Sequence, residues 1–230
     1  DSYMPARLIG AKQLKPTGGA AESSDGSLTW DSNEGWGKDY SSNYLSYMFK
    51  RAPGFFDVVT YTGNATAGRT IPHNLESTPE MMIVKCRSDS EGWPVYHPAF
   101  GATKYMRINS TSEANTSALF WNDTAPTSSV FSVGNYDEVN GNTKTYIAYL
   151  FATLPGISKV GSYTGTGNPI NIDCGFTNGA RFVLIKSHND GGDWQVFDTT
   201  RGIVAGGDSR LELNTTAAQD QPDDIDPASS

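Results

Sequence analysis

The stretch PGFFDVVTYTG at residues 53–63 returns 102 positions later as PGISKVGSYTG at residues 155–165. The similarity continues upstream, where YLSYMF at residues 44–49 returns as YIAYLF at residues 146–151. A polypeptide that repeats a strand-like segment together with its turn is expected to repeat the fold that the segment builds. The spacing of these matches therefore sets the scale at which the fold is organised.

Further matches extend the repeat in both directions. MIVKCRSDSEGWPVYH at residues 82–97 resembles VLIKSHNDGGDWQVFD at residues 183–198, with the lysine and the tryptophan in register. Nearer the N-terminus, GAKQL at residues 10–14 echoes GATKY at residues 101–105. The chain therefore holds parts of three copies, which we call the first, second and third copy.

The period of about 100 residues is a domain length, because solenoid units run only about 20–50 residues. We expect residues 1–51 to be the second half of a repeat domain and residues 52–151 to be a complete one. Residues 152–230 are expected to be the first part of a further repeat, truncated at its C-terminus. On this interpretation the native polypeptide continues beyond both ends. Two alternatives are that the partial copies are trimmed capping units, or that they complete one another.

The composition predicts an all-β fold. Only 18% of the residues are charged, and short runs rich in Val, Ile, Thr, Tyr and Phe alternate with Gly, Asn and Asp turns. Seven or eight strands in each unit of about 100 residues are typical of a β-sandwich. We therefore expect tandem antiparallel β-sandwich domains of the jelly-roll or lectin-like kind.

The segment TYIAYLFA at residues 145–152 is apolar on both faces, which predicts a central strand. The Pro-Gly that follows it marks the seam between copies.

Charge and hydropathy exclude two kinds of partner. The net charge is −8 and no Lys/Arg run is visible, so we predict no binding to nucleic acid. No run approaches the roughly 20 apolar residues of a membrane span, so we predict no membrane insertion. Cys86 and Cys174 occupy non-equivalent positions in their copies and are expected to be two buried free thiols.

The polar loop before the repeated tryptophan is the candidate binding site. A tryptophan beside acidic and amide groups suits stacking on a sugar ring, and the oxygens suit Ca²⁺, although the spacing falls short of an EF-hand loop. The alternative is that both tryptophans are core residues that follow a β-turn. The candidate ligand-binding residues of the two loops are Asp89, Glu91, Trp93, Asn189, Asp190, Asp193 and Trp194.

The sequence contains no recognisable catalytic motif. The three histidines have no histidine counterpart in another copy, no spacing selects a carboxylate pair for glycosidase chemistry, and neither a phosphate loop nor a nucleophile elbow is present. We therefore predict a protein that is not an enzyme, with no catalytic residues, no metal site and no cofactor, Ca²⁺ at the loop oxygens being the alternative.

The repeated strings resemble a known family. APGFFDVV at residues 52–59, FWNDTAPTS at 120–128 and TYIAYLFA at 145–152 look like the repeat of virion appendage proteins of marine tailed bacteriophages, including cyanophages. The resemblance covers roughly residues 10–230. It implies a tail fibre or other structural protein of the virion, located on an external appendage.

Several expectations follow from this resemblance. It implies a non-enzymatic protein that contributes to host-surface attachment, assembles with other virion proteins as a homotrimer, and contacts a host cell-surface glycan or protein. No catalytic residues are established for this repeat. Two alternatives remain open, namely a capsid decoration or spike protein and a depolymerase that acts on surface polysaccharide.

Overall fold

The fold consists of antiparallel β-sheets, which confirms the predicted all-β class. The computed structural model describes residues 2–30, 35–39, 44–204, 206–222 and 224–225. The extreme ends of the predicted first and third copies, residue 1 and residues 226–230, lie outside this set. The strands are β1 (Lys12–Gln13), β2 (Ser23–Ser24), β3 (Phe56–Thr62), β4 (Arg69–Pro72), β5 (Met81–Cys86), β6 (Pro94–Tyr96), β7 (Lys104–Arg107), β8 (Asn115–Thr116), β9 (Val130–Val133), β10 (Thr145–Phe151), β11 (Phe182–Ile185), β12 (Gln195–Asp198) and β13 (Arg210–Glu212).

The helices are single turns that the sequence did not reveal. They are α1 (Ala118–Trp121) and α2 (Asp137–Asn140), with a 3₁₀ turn at Arg7–Ile9. A four-residue helix is too short to show a 3.6-residue period in the sequence. In the described part of the chain, no helix is long and apolar enough to cross a lipid bilayer.

The second copy is built on one six-stranded sheet with strand order β3-β10-β5-β6-β7-β8. β10 lies between β3 and β5, so the prediction of a central strand at TYIAYLFA is confirmed. Ala148 is paired with Val59 on one side and with Val84 on the other. Because both edges of β10 are hydrogen-bonded and both of its faces are covered, apolar residues occupy every interior position of this strand.

One face of the six-stranded sheet packs within the second copy. Tyr146, Ala148 and Leu150 of β10 point into a core that is closed by the β4–β9 pair and by α1 and α2. Trp121 and Phe131 are fully buried there. Burying side chains of this size contributes about 1.5–3 kcal/mol each, so this core contributes substantially to the stability of the second copy.

The opposite face packs against the other two copies. Ile147 and Tyr149 of β10 point to this side and share a core with Leu14 of the first copy and Trp194 of the third. The copies are therefore joined through a shared hydrophobic core and not only through short linkers.

The Pro-Gly seams adopt the same turn. Gly54 has φ +70° and Gly156 has φ +74°, a left-handed conformation that favours glycine. An isolated bridge pairs Ala52 with Phe56 at the first seam, and another pairs Leu154 with Ser158 at the second. The predicted turn is confirmed at both seams.

The third copy contains a three-stranded sheet, β11-β12-β13, that corresponds to β5-β6-β7. The register is also repeated, since Val95 pairs with Met106 in the second copy and Val196 pairs with Leu211 in the third. Both cysteines are free thiols. Cys86 is buried as predicted, whereas Cys174 is only partly buried because it lies outside the sheets, so the prediction for Cys174 was wrong.

Candidate functional site

The candidate loops follow equivalent strands. One loop connects β5 to β6 and carries Asp89, Glu91 and Trp93; the other connects β11 to β12 and carries the corresponding residues of the third copy. The structure brings the members of each loop together, and it shows what each side chain contacts.

The acidic side chains of the first loop bind a lysine. Lys144 Nζ lies 3.1 Å from Asp89 Oδ2, 2.9 Å from Glu91 Oε1 and 3.0 Å from Asp137 Oδ2. Desolvation lowers the pKa of Lys144, but its hydrogen bonds to Glu91, Asp137 and Asp89 outweigh that effect and raise the pKa above its ordinary value. The carboxylates are therefore engaged with a cation from the chain itself.

Trp93 immediately precedes β6 and is fully buried, with 0% of its surface exposed. Its backbone N–H donates to Asn109 Oδ1 at 3.0 Å. Its indole N–H donates to the carbonyl oxygen of Gly18 at 2.9 Å, and Gly18 belongs to the first copy. The side chain thus spans the boundary between two copies.

Trp194 repeats these contacts one copy later. It is 3% exposed, its backbone N–H donates to Asn214 Oδ1 at 2.8 Å, and its indole N–H donates to the carbonyl oxygen of Arg107 at 2.9 Å. Arg107 belongs to the second copy, so the indole again binds the backbone of the preceding copy. Because the faces of both indoles are covered by protein, neither ring offers a surface on which a sugar can stack. This burial agrees with the alternative that the tryptophans are core residues.

The lysine that is repeated before each loop also donates a hydrogen bond across the boundary between copies. Lys85 is fully buried, and its Nζ donates to the carbonyl oxygens of Gly19 and Glu91 at 2.9 Å each and to that of Asp89 at 3.4 Å. Gly19 lies in the first copy. Desolvation lowers the pKa of Lys85 to about 8. A buried ammonium needs carbonyl oxygens in place of water, and the preceding copy supplies one of them.

Lys186 occupies the corresponding position in the third copy. Its Nζ donates to the carbonyl oxygens of Ser187 at 2.7 Å, Asp190 at 3.3 Å and Thr111 at 3.4 Å. Thr111 belongs to the second copy. Desolvation again lowers the pKa of this lysine. We call the two sets, Lys85 with Trp93 and Lys186 with Trp194, the lysine–tryptophan junctions.

The remaining candidate residues of the second loop are polar and more accessible. Asn189 and Asp190 are exposed, and the Asn189 side chain lies 3.2 Å from Ser187 Oγ. Asp193 is partly buried and accepts a hydrogen bond from Asn214 Nδ2 at 2.7 Å. Across the described residues, no group of three or more His, Cys, Asp or Glu side chains is placed to hold a metal ion.

The most connected residue beside the site was not identified from the sequence. Arg107 forms a two-pronged ion pair with Glu138, with Nε 2.8 Å from Oε2 and Nη2 2.8 Å from Oε1. Glu138 is only 6% exposed. A Cβ added at Gly92 would lie 2.7 Å from Glu138 Oε2 and 2.8 Å from Arg107 Cδ. The Arg107–Glu138 ion pair therefore occupies the space next to Gly92. No spacing in the sequence signals a pair that spans 31 residues.

The comparisons with known proteins identify a family without a described activity. Residues 50–229 match a protein-family model described as a domain of unknown function, DUF7483. No curated protein matches the chain. No solved structure matches it either.

Proposed function

We propose that this chain, which belongs to the DUF7483 family, is a non-catalytic structural protein of a bacteriophage particle, a tail fibre or related appendage that contributes to host-surface attachment. One observation supports a structural role above all others. In two successive boundaries, a lysine and a buried tryptophan of the later copy hydrogen-bond to backbone carbonyls of the earlier one. The lysine is fully buried at the first boundary (Lys85) and partly buried at the second (Lys186).

Such junctions suit an elongated protein in which each copy is held in a fixed position relative to the next. The acceptors at each boundary are main-chain carbonyls, which every sequence provides, so the same pair of donors can join copy after copy. Because both tryptophans are buried, water competes less with their indole hydrogen bonds than with bonds at the surface. An appendage assembled in this way gains length without a new interface for each unit.

Attachment is assigned to the exposed parts of the loops. Asn189 and Asp190 project at the surface beside a rigid sheet, and loops on a rigid scaffold are where binding residues are commonly found. We propose a host cell-surface glycan or protein as their ligand. Assembly as a homotrimer, together with other virion proteins, would present several such loops at once and strengthen weak contacts by multivalency.

The location of the chain on intact particles tests this function. An antibody against the chain is added to purified particles, and the particles are imaged by cryo-electron microscopy. Label on the tail or its fibres is the expected result. Label distributed over the capsid would overturn the fibre assignment in favour of a capsid decoration or spike protein.

A second assay addresses attachment and chemistry. The purified protein is applied to host envelopes, and both retention of the protein and release of soluble sugar are measured. Retention that falls at least several-fold in an Asn189→Ala, Asp190→Ala variant is expected, with Lys159→Ala as an exposed control. Sugar release that increases with time would overturn the non-enzymatic assignment and indicate a polysaccharide depolymerase.

A further inference from the structure

One edge of the third copy's sheet lacks the partner that the second copy has. In the second copy, β5 pairs with β6 on one edge and with β10 on the other, from Met81 opposite Phe151 to Cys86 opposite Tyr146. In the third copy, β11 is the counterpart of β5 and pairs only with β12. Within the described residues, no strand pairs with the other edge of β11. An unpaired edge of this kind is a template for another strand.

A segment with the sequence of the missing strand lies beside that edge. Residues 44–49, YLSYMF, match residues 146–151 of β10, YIAYLF. The ring centroid of Tyr47 lies 4.9 Å from that of Phe182, the first residue of β11, and the Tyr47 hydroxyl donates to Asp198 Oδ2 at 2.7 Å. The ring centroid of Phe49 lies 6.0 Å from that of Phe182. The segment therefore contacts β11 and β12 through its side chains.

The segment forms no described strand, and two of its apolar side chains are accessible. Leu45 and Met48 are 42% and 60% exposed. Their counterparts in β10, Ile147 and Leu150, are fully buried in a central strand. An accessible leucine and methionine in a sequence that elsewhere forms a central strand indicate that these two side chains do not make the contacts that their counterparts make.

The topology of the second copy explains why the segment reaches β11. Phe56 at the start of β3 is paired with Phe151 at the end of β10, so the chain enters and leaves the second copy at the same end of the sheet. Phe49 lies at this end, with ring centroids 5.5 Å from Phe56 and 5.7 Å from Phe151. Residues 44–49 at the end of the first copy therefore lie close in space to the first strand of the third copy.

We propose that the free edge of β11 is a strand-acceptor site and that its occupant is the segment of residues 44–49 of the same chain. In the third copy's sheet this segment takes the place that β10 has in the second copy. The first and third copies then complete one another, which was one of the alternatives that the repeat left open. This inference does not depend on the proposed function.

The repeat also defines the register of the new pair. Tyr149 is opposite Ile83 in the second copy, and Phe151 is opposite Met81. The equivalent positions place Tyr47 opposite Leu184 and Phe49 opposite Phe182. Ser46 is then opposite Ile185. A slip by one residue would move every side chain of the segment to the wrong face, so the register is a strict prediction.

Disulfide trapping in the 230-residue chain tests the occupant and the register together. The Ser46→Cys, Ile185→Cys variant is prepared in a Cys174→Ser background, and the Ser46→Cys, Leu184→Cys variant serves as the slipped control. Directly opposed Cβ atoms lie about 4.5–5.5 Å apart, whereas a one-residue slip places the two thiols on opposite faces. We expect intramolecular cross-linking of the first pair, at least tenfold faster than in the control, with no covalent cross-link between chains.

Three results would overturn the proposal. Equal cross-linking of the two pairs would contradict the register, and no cross-linking of the first pair would contradict the site. Cross-linking that appears only in dimers would assign the edge to a second copy of the chain by strand exchange.

Hydrogen exchange of the unmodified protein gives an independent measurement. We expect amide protection in residues 44–49, and we expect a Ser46→Pro variant to lose that protection and part of that of β11, because proline cannot donate in a ladder. Protection of β5 and β10 should be unchanged in the variant, which serves as the internal control. Exchange of residues 44–49 at the rate of an unstructured peptide would contradict the proposal.

Discussion

The indole N–H of Trp194 donates to the carbonyl oxygen of Arg107 at 2.9 Å, and the guanidinium of the same Arg107 forms an ion pair with Glu138. Arg107 thus connects the third copy, through its backbone, to α2 of the second copy, through its side chain. Trp93 makes the corresponding bond to Gly18 of the first copy. The tryptophan of each candidate ligand loop therefore donates a hydrogen bond that joins two successive copies.

Removing only the indole N–H of Trp194 should weaken the junction. In Trp194→Phe the carbonyl of Arg107 loses its donor in a buried position, so we expect the free energy of unfolding to fall by about 1–3 kcal/mol. Trp194→Ala also leaves a cavity and should cost about 3–5 kcal/mol. Urea unfolding followed by far-UV circular dichroism measures both. Tyr163→Phe, at a side chain that is 50% exposed, is the control and should change stability by less than about 0.5 kcal/mol. Equal effects at the two positions would contradict the junction.

Gly92 should not tolerate even a methyl group. Its Cβ would meet Glu138 Oε2 at 2.7 Å and Arg107 Cδ at 2.8 Å, so Gly92→Ala must displace the ion pair. We expect a loss of about 1–3 kcal/mol in the free energy of unfolding. At Gly165 an added Cβ has no atom within 4 Å, and Gly165→Ala should be neutral or slightly stabilising. Thermal unfolding of the two variants side by side provides the comparison, and similar melting temperatures would contradict the prediction.

Lys85 should make stability increase with pH in an alkaline window. Desolvation lowers its pKa in the folded state to about 8, against 10.5 as the ordinary value, while the charges of Cys86, Glu91, Glu138 and Asp89 oppose this shift. Between these values the unfolded chain binds more protons than the folded chain, so the free energy of unfolding rises with pH.

The Lys85 prediction is measured between pH 8 and pH 10. Above this range the raised pKa of buried Tyr149, caused by desolvation, acts with the opposite sign, because the folded state then holds the extra proton. We expect the free energy of unfolding of the wild type, minus that of Lys85→Met, to increase from pH 8 to pH 10. Lys159→Met, at an exposed position, should follow the wild type. A constant difference between the wild type and Lys85→Met would contradict the assignment.

His73 should make the protein sensitive to acid. It is 7% exposed, its Nε2 lies 3.1 Å from the carbonyl oxygen of Thr127, and its Nδ1 accepts from the Leu75 N–H at 3.3 Å. Desolvation lowers its pKa below the ordinary 6.5, whereas the hydrogen bond to Thr127 and the charge of Asp57 act in the opposite direction. Below pH 6.5 the unfolded chain binds the extra proton, so stability falls as the pH decreases.

A titration of unfolding free energy from pH 7.5 to pH 5 tests the effect of His73. The wild type should lose stability faster than His73→Gln over this range, so that the two curves converge. Curves that remain parallel would show that His73 contributes nothing to the acid sensitivity.

The sequence predicted the features that depend on neighbouring residues or on the repeat itself. The alternating apolar positions of TYIAYLFA predicted a central strand, and β10 is one. Gly54 and Gly156 were expected at turns, and both have the positive φ that such turns require. These features are local, so the residues that determine them lie side by side in the chain.

The junctions could not be predicted because their acceptors lie far away in sequence. Trp93 was assigned to a loop with sugar-stacking chemistry or to the core, but nothing in the sequence indicates that its partner is the carbonyl of Gly18. Every residue has a main-chain carbonyl, so the sequence does not show which carbonyl accepts a hydrogen bond. Similarly, the three carboxylates around Lys144 come from the β5–β6 loop and from α2, which only the folded protein brings together.

The pairing of Phe56 with Phe151 at one end of the second copy also determines how the chain responds to a pulling force. Tension applied through the two seams separates β3 from β10 starting at that end. Because antiparallel hydrogen bonds run perpendicular to the strands, such a load breaks them one after another and not all at once. The six-stranded sheet is therefore mechanically weak when it is pulled through its own two chain ends.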